Sequence, residues 1–264
     1  VYCNFSNPIL SAVEISNNSA NGHAGGIYVG SESSINFYTG EISANTAISG
    51  NGGGIIFESS YISEVNGVTI SGNSAGMSGG GVYINNSEPE FENVIIDNNS
   101  TLGHGGGIYL NSSNSTLSNV DITNNTANGV SSEVHGGGIA MNNSHPTLSD
   151  VTLSYNSAVS SSYAKGGGIY CGNSDPILNR VLLNSNSAKH GGGLSLMASA
   201  PIIHHATIRG NSASSSGGGI HFTSDSNPVL LNSIIWENGL AGEISGSGET
   251  TVTYSDIQGG WDGE

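Results

Sequence analysis

Along the chain, short runs with apolar residues at the first and third positions return at regular intervals. One set reads Ile27-Tyr28-Val29, Val82-Tyr83-Ile84, Ile108-Tyr109-Leu110 and Ile169-Tyr170-Cys171. A second, often opened by proline, reads Pro89-Glu90-Phe91, Pro146-Thr147-Leu148 and Pro176-Ile177-Leu178, and a third Val68-Thr69-Ile70, Val120-Asp121-Ile122 and Val151-Thr152-Leu153. Alternation with period two places one face of each run inside, which is a strand pattern. Three short strands per unit, repeated throughout, predict an all-β solenoid: a single-stranded parallel β-helix of about nine to ten coils.

The repeat is fixed by glycine. The third residues of the glycine triplets, Gly26, Gly54, Gly81, Gly107, Gly138, Gly168, Gly193 and Gly219, are separated by 28, 27, 26, 31, 30, 25 and 26 residues. From each to a downstream asparagine the count is 18 or 19, so the variation in length falls between that asparagine and the next triplet. Insertions confined to one place per repeat mark a loop on one side of the stack. Residues 128–135 and 159–165 are the longest such loops, and they are expected to wall one edge of a groove. The repeats occupy 1–242, with a terminal coil over 243–264. Because Val1-Tyr2-Cys3 matches Ile169-Tyr170-Cys171, the chain is expected to begin inside a coil and to continue beyond both ends.

Units of the form GGGIY, then S-x-P-x-L, then V-x-I-x-x-NSA resemble the right-handed parallel β-helix repeat proteins of bacterial cell surfaces, with related repeats in polymorphic outer-membrane proteins. The resemblance covers nearly the whole chain. Asn232-Ser233-Ile234-Ile235-Trp236 and Tyr254-Ser255-Asp256-Ile257-Gln258-Gly259-Gly260-Trp261 also look like the family's terminal coil. It implies a right-handed solenoid and an extracellular or surface location in a bacterium. It implies no single activity, because such folds carry lyases, hydrolases, adhesins and inert stalks.

Composition sharpens this picture. Gly, Asn and Ser fill 118 of 264 positions, which without a period would read as disorder. Four cations against 20 carboxylates give a net charge of −16, so no basic face exists for nucleic acid. No apolar run approaches the roughly 18 residues of a membrane-spanning helix.

Stacking coils about 4.8 Å apart turns each repeat position into a column of like residues. Asn45, Asn73, Asn99, Asn125, Asn156, Asn186 and Asn211, with Asn18 and Asn238 at the ends, then form an amide ladder, each side chain bonded to the next. The glycine triplets read as bends without room for a side chain and not as phosphate loops. Cys3 and Cys171 share one inward position six coils, or about 29 Å, apart; a disulfide needs Cα atoms within about 7 Å, so they stay unpaired.

Several columns could carry chemistry. Tyr28, Tyr83, Tyr109 and Tyr170 lie on the outward column of the first strand and are candidates to bind a sugar or a protein partner; plain strand propensity is the alternative. Glu64 and Glu90 fall on adjacent coils, about 5 Å apart, with Glu92 nearby. They could be solvated acidic surface, hold Ca²⁺, or act as an acid/base pair. Asp150, Arg180 and His205 occupy one position on three successive coils, an arrangement suited to proton abstraction beside a uronate or to a surface ion-pair ladder. His23, His104, His135 and His190 precede the glycines, with Lys165 in the same column, and adjacent His104 and His135 could share a transition metal.

The expected role is adhesive, scaffolding or carbohydrate-binding, with a polysaccharide or cell-surface partner. A polysaccharide lyase or glycoside hydrolase working in a groove is a second reading. A passive stalk or filament whose coils associate end to end is a third.

Overall fold

The computed structural model describes residues 1–129, 132–223 and 225–260. Val130, Ser131, Ser224 and residues 261–264 of the segments named above therefore lie outside the described residues. The chain winds into stacked coils whose neighbours pair in parallel on three sheets. The first sheet has ten strands, running from Tyr2–Cys3 and Ile27–Val29 through Ile108–Asn111 to Ile244–Gly246. Equivalent residues of the repeat sit opposite one another, for example Tyr83 against Tyr109 and Ile84 against Leu110.

Three strands per coil are present, but the boundaries differ from the sequence expectation. The P-x-L and V-x-I runs share one sheet, as eight-residue strands such as Glu90–Asp97, Thr116–Thr123 and Thr147–Ser154. The residue between the two runs takes a left-handed conformation, with φ +53° at Asn119 and +56° at Asp150. A single such residue turns the strand without ending its pairing. The third sheet comes from the corner that follows the ladder asparagine, as short strands such as Ser74–Ala75 and Ser100–Thr101. Left-handed corners recur at Asn86, Asn98, Asn124, Asn143 and Asn173, and asparagine is among the few residues that tolerate this region. Much of the asparagine content is thereby explained by turning.

Inside the coils lies one continuous column of Ile, Val, Leu and Phe, among them Phe37, Phe57 and Phe91, with Cys3 and Cys171 buried and unpaired. Burial pushes the Cys171 thiol well above its ordinary value. The glycines occur where the backbone of two coils nearly touches. A Cβ on Gly106 would lie 2.4 Å from the carbonyl oxygen of Gly137, and Gly105 has φ +66°. No other residue fits both conditions.

The amide ladder is present along the whole stack. From Asn45 to Asn211 each backbone N–H and each Nδ2 donates to the Oδ1 of the next asparagine at 2.8–3.0 Å. The remaining Nδ2 proton reaches a carbonyl of the coil behind, as from Asn125 to Ile96 at 2.8 Å. At the far end Glu243 replaces the amide, accepting from Asn238. A second ladder, of serines, runs at another corner: the backbone N–H groups of Ser87, Ser113, Ser144 and Ser174 donate to Oγ of Ser113, Ser144, Ser174 and Ser199. Among the described residues no helix is long and apolar enough to cross a membrane.

Because Asn125 is fully buried and bridges three coils, Asn125→Ala should destabilise the protein by about 2 to 4 kcal/mol, the cost of stranding several buried polar groups. Asn125→Asp should cost more at pH 7, since an acceptor then faces the Ile96 carbonyl and Asn156 Oδ1. Denaturant midpoints test both; an unchanged midpoint for either would remove the ladder's structural role.

Candidate functional site

Two insertions interrupt the third sheet, and both return to it. Thr126–Gly129 pairs with Ser157–Ser160 in register, and Val134–His135 pairs with Ala164–Lys165, which in turn reaches His190. Val134 and Ala164 fold back onto Ala127 and Ala158, forming a small second core against which Ala188 packs. The apolar residues that close this core are small, so the loops lie tightly against the coil.

Beside the second loop the surface opens into a trough of about 400 Å³, lined by Ser157, Val159, Ala188, Lys189, Ser212 and Ser214 among others. Tyr163 does not line the trough but is 52% exposed next to it in sequence, with the ammonium groups of Lys165 and of the lining residue Lys189 at 5.7 and 5.1 Å from its ring centre. Lys189 Nζ donates to the Ser162 carbonyl at 2.8 Å and forms no ion pair with a carboxylate among the described residues. Lys165 differs, since its Nζ meets Glu133 Oε1 at 2.8 Å.

Glu133 is the junction of this region. Its Oε1 also lies 2.9 Å from His135 Nε2, and the hydrogen bonds from Lys165 and His135 hold its carboxyl down at about 2. His135 is pushed down to about 4, chiefly by burial and against the pull of Glu133. Its ring stacks on His104 at 4.7 Å and on Tyr170 at 4.0 Å. Nothing in the repeat marks Glu133, which sits in an insertion whose counterpart in the next coil carries Tyr163 just before the paired Ala164–Lys165. The only available signal was the unusual length of the loop.

The histidine column has a structural explanation. His23 Nδ1 accepts the Asn51 N–H, Asn51 Oδ1 the Ser78 N–H, Ser78 Oγ the His104 N–H, and His104 Nδ1 the His135 N–H. Imidazole, amide and hydroxyl are thus interchangeable acceptors in a third ladder. An Nδ1 that accepts leaves the proton on Nε2, so a ring in this role offers no lone pair to a metal. Among the described residues no three His, Cys, Asp or Glu side chains group to hold a metal ion.

The tyrosine column is less open than an outward position implies. Tyr2 and Tyr28 stack at 5.0 Å and 6°, Tyr83 and Tyr109 at 5.4 Å and 16°, so each pair covers its own ring faces. Tyr28 donates to Glu58 at 2.7 Å, and burial together with that carboxylate pushes its hydroxyl up to about 12. Tyr170 is only 4% exposed, because the His135 ring lies over it; its place as an outward residue is corrected accordingly. The glycine bends cover the rest of the column: the Cβ of Tyr83 and of Ser195 sit under Gly79 and Gly191.

Glu64 and Glu90 are register partners on adjacent coils, as their spacing requires. Glu64 accepts from the Tyr38 hydroxyl at 2.7 Å and Glu92 from Asn66 at 2.7 Å, while Glu90 is exposed. Asp150 and Arg180 form a two-point ion pair, with Nε and Nη2 each 2.6 Å from a carboxylate oxygen. The Arg180 guanidinium holds the Asp150 carboxyl below its ordinary value. The pair is about half exposed, and the His205 ring packs on His204 at 3.9 Å rather than on the pair.

Protonation of the third ladder sets a pH dependence. A proton on His104 Nδ1 would oppose the His135 N–H, and burial lowers both rings from their ordinary 6.5. Since the unfolded chain then binds more protons than the folded one, stability is complete above pH 6.5 and falls as the pH drops toward 4. For His135 alone the loss is on the order of 3 kcal/mol. His104→Asn/His135→Asn keeps an acceptor of the kind Asn51 supplies without a titrating group, so its melting temperature should vary less between pH 6.5 and 4.5 than that of the parent. Parallel curves would sink the assignment.

The family model described as "right handed beta helix region" matches residues 1–203 and 137–263. No curated protein and no solved structure matches the chain. With the parallel three-sheet solenoid, this match shows that the chain belongs to the right-handed β-helix family, whose members include surface proteins and polysaccharide-degrading enzymes.

Proposed function

We propose that this β-helix is a secreted or surface-displayed module that binds a carbohydrate chain in the loop-walled trough. The observation that carries the reading is the trough itself: about 400 Å³ beside residues 159–165, lined by serine and alanine side chains and by Lys189, whose ammonium group lies 5.1 Å from the Tyr163 ring. A sugar ring offers alternating hydroxyls and C–H faces, and a surface of small hydroxylated and methyl-bearing residues beside one exposed aromatic complements both. The trough runs across successive coils and is open, as a polymer requires.

Direct binding fits better than catalysis. Chemistry on a glycan asks for an acid or base free to exchange a proton with substrate. Asp150 and Arg180 are paired with each other and Glu64 and Glu92 with Tyr38 and Asn66, so of these aligned residues the exposed Glu90 is left as a single carboxylate where glycoside hydrolysis asks for two.

Native affinity electrophoresis through neutral and acidic polysaccharides, with and without Ca²⁺, tests this reading. At least one polymer should retard the protein without releasing new sugar ends. Tyr163→Ala and Lys189→Ala should each weaken retention about tenfold, while Tyr83→Ala/Tyr109→Ala should leave it unchanged. Retention that depends on the tyrosine pair and ignores Tyr163 would move the site to the first sheet; free migration in every gel would end the binding proposal.

A further inference from the structure

The third-sheet segments that build the trough carry an unusual charge. Residues 157–165, 187–190 and 212–216 contain Lys165, Lys189 and His190 and not one Asp or Glu, in a chain of net charge −16. At the ends of these segments, next to the trough-lining Lys189 and outside the lining itself, Ser216 Oγ lies 2.7 Å from His190 Nδ1 and 3.1 Å from His221 Nδ1 of the first sheet, with the two rings 5.3 Å apart. We infer that Lys189, His190, Ser216 and His221 form a proton-coupled oxyanion site that takes a carboxylate or sulfate group of the polymer in the trough. This rests on the glycan-binding reading and names the class of glycan.

The hydrogen-bond arithmetic carries the inference. With both rings neutral, Ser216 spends its one proton on the first imidazole and accepts from the second, so the trio satisfies itself. One more proton, placed on the accepting ring, makes both Nδ1 atoms donors. The hydroxyl oxygen has two lone pairs and can accept from both. Its O–H is then released to donate elsewhere, beside a new positive charge. A single proton thus turns a closed trio into an anion receptor.

The surroundings decide when that proton binds. Facing the two rings are Lys165, the register partner of His190, then Lys189, Tyr163 at 6.1 Å, and the Ser245 backbone. Glu133, the carboxylate of this corner, is engaged by Lys165 and His135. Burial lowers both imidazoles first; Lys189 and Lys165 add to this for His190, and the neighbouring His190 for His221. The free site is therefore neutral at pH 7. A bound oxyanion reverses the repulsion, and by linkage the proton and the anion favour each other's binding equally.

Isothermal titration calorimetry at pH 7 in two buffers of different ionisation enthalpy, with polygalacturonate, dextran sulfate and neutral dextran, tests the proposal. An acidic polymer should bind with uptake of close to one proton per site, and its affinity should rise about tenfold from pH 7.5 to 5.5. Ser216→Ala should abolish the uptake while the protein still unfolds in a single cooperative transition. A preference for polygalacturonate over dextran sulfate, or the reverse, separates carboxylate from sulfate. Equal binding of neutral dextran without proton uptake would overturn the oxyanion site and leave the glycan-binding reading standing. Sodium sulfate, read against sodium chloride of equal ionic strength by imidazole NMR, supplies the independent arm. If sulfate raises the titration midpoints of His190 and His221 although no polymer binds, the oxyanion site stands and the glycan reading falls; if it leaves them unmoved, the site falls.

Discussion

Every coil must satisfy the backbone hydrogen bonds of the coil before it, and that requirement governs the rest of the molecule. Pairing is parallel and in register on all three sheets, so a residue's neighbours above and below are its equivalents in the repeat. On straight segments the backbone pairs with itself. At corners it cannot, and side chains must accept the N–H groups left over. The asparagine, serine and mixed imidazole ladders are three solutions to this one problem, placed at three corners. Asparagine serves best where no water reaches, since its amide both accepts from the coil behind and donates to the coil ahead.

This constraint explains what could be read in the residues. The columns of Gly107 and Asn125 were visible because a stack forces identical solutions at identical places, which a chain writes as a period. The division of strands was not visible. Asn119 and Asp150 turn the backbone through a left-handed conformation while the ladder on either side continues, and alternation alone cannot separate one bent strand from two. The histidine column misled for a related reason. Taken alone, His104 and His135 suggest metal; taken with Asn51 and Ser78 at the same position, they share only the capacity to accept a hydrogen bond.

The candidate site was the least legible part, and the reason is physical. Insertions are tolerated where pairing between coils is released, so they are also where the period stops constraining the sequence. Glu133 is followed in the next coil by Tyr163, a residue of different chemistry, and Tyr170 is covered by His135 from a neighbouring coil. Burial of a nominally outward residue depends on what a loop lays over it. No alternation pattern within its own strand records that.

Release from the repeat also allows a local reversal of charge. Acidic residues occupy the second sheet's outward positions at Glu41, Glu64, Glu90, Glu92 and Asp121, whereas Lys165 and Lys189 lie on the loops and edge of the third. At physiological ionic strength charges are screened over about 8 Å, a distance shorter than two coils. An approaching anion therefore responds to the charges within about that distance, and at this corner those are basic although the body is acidic. Specificity for that corner then comes from fixed geometry, since Tyr163 lies between the two ammonium groups and Ser216 between the two imidazoles. A regular stack supplies the rigidity, and the two insertions supply a place where the surface departs from repetition.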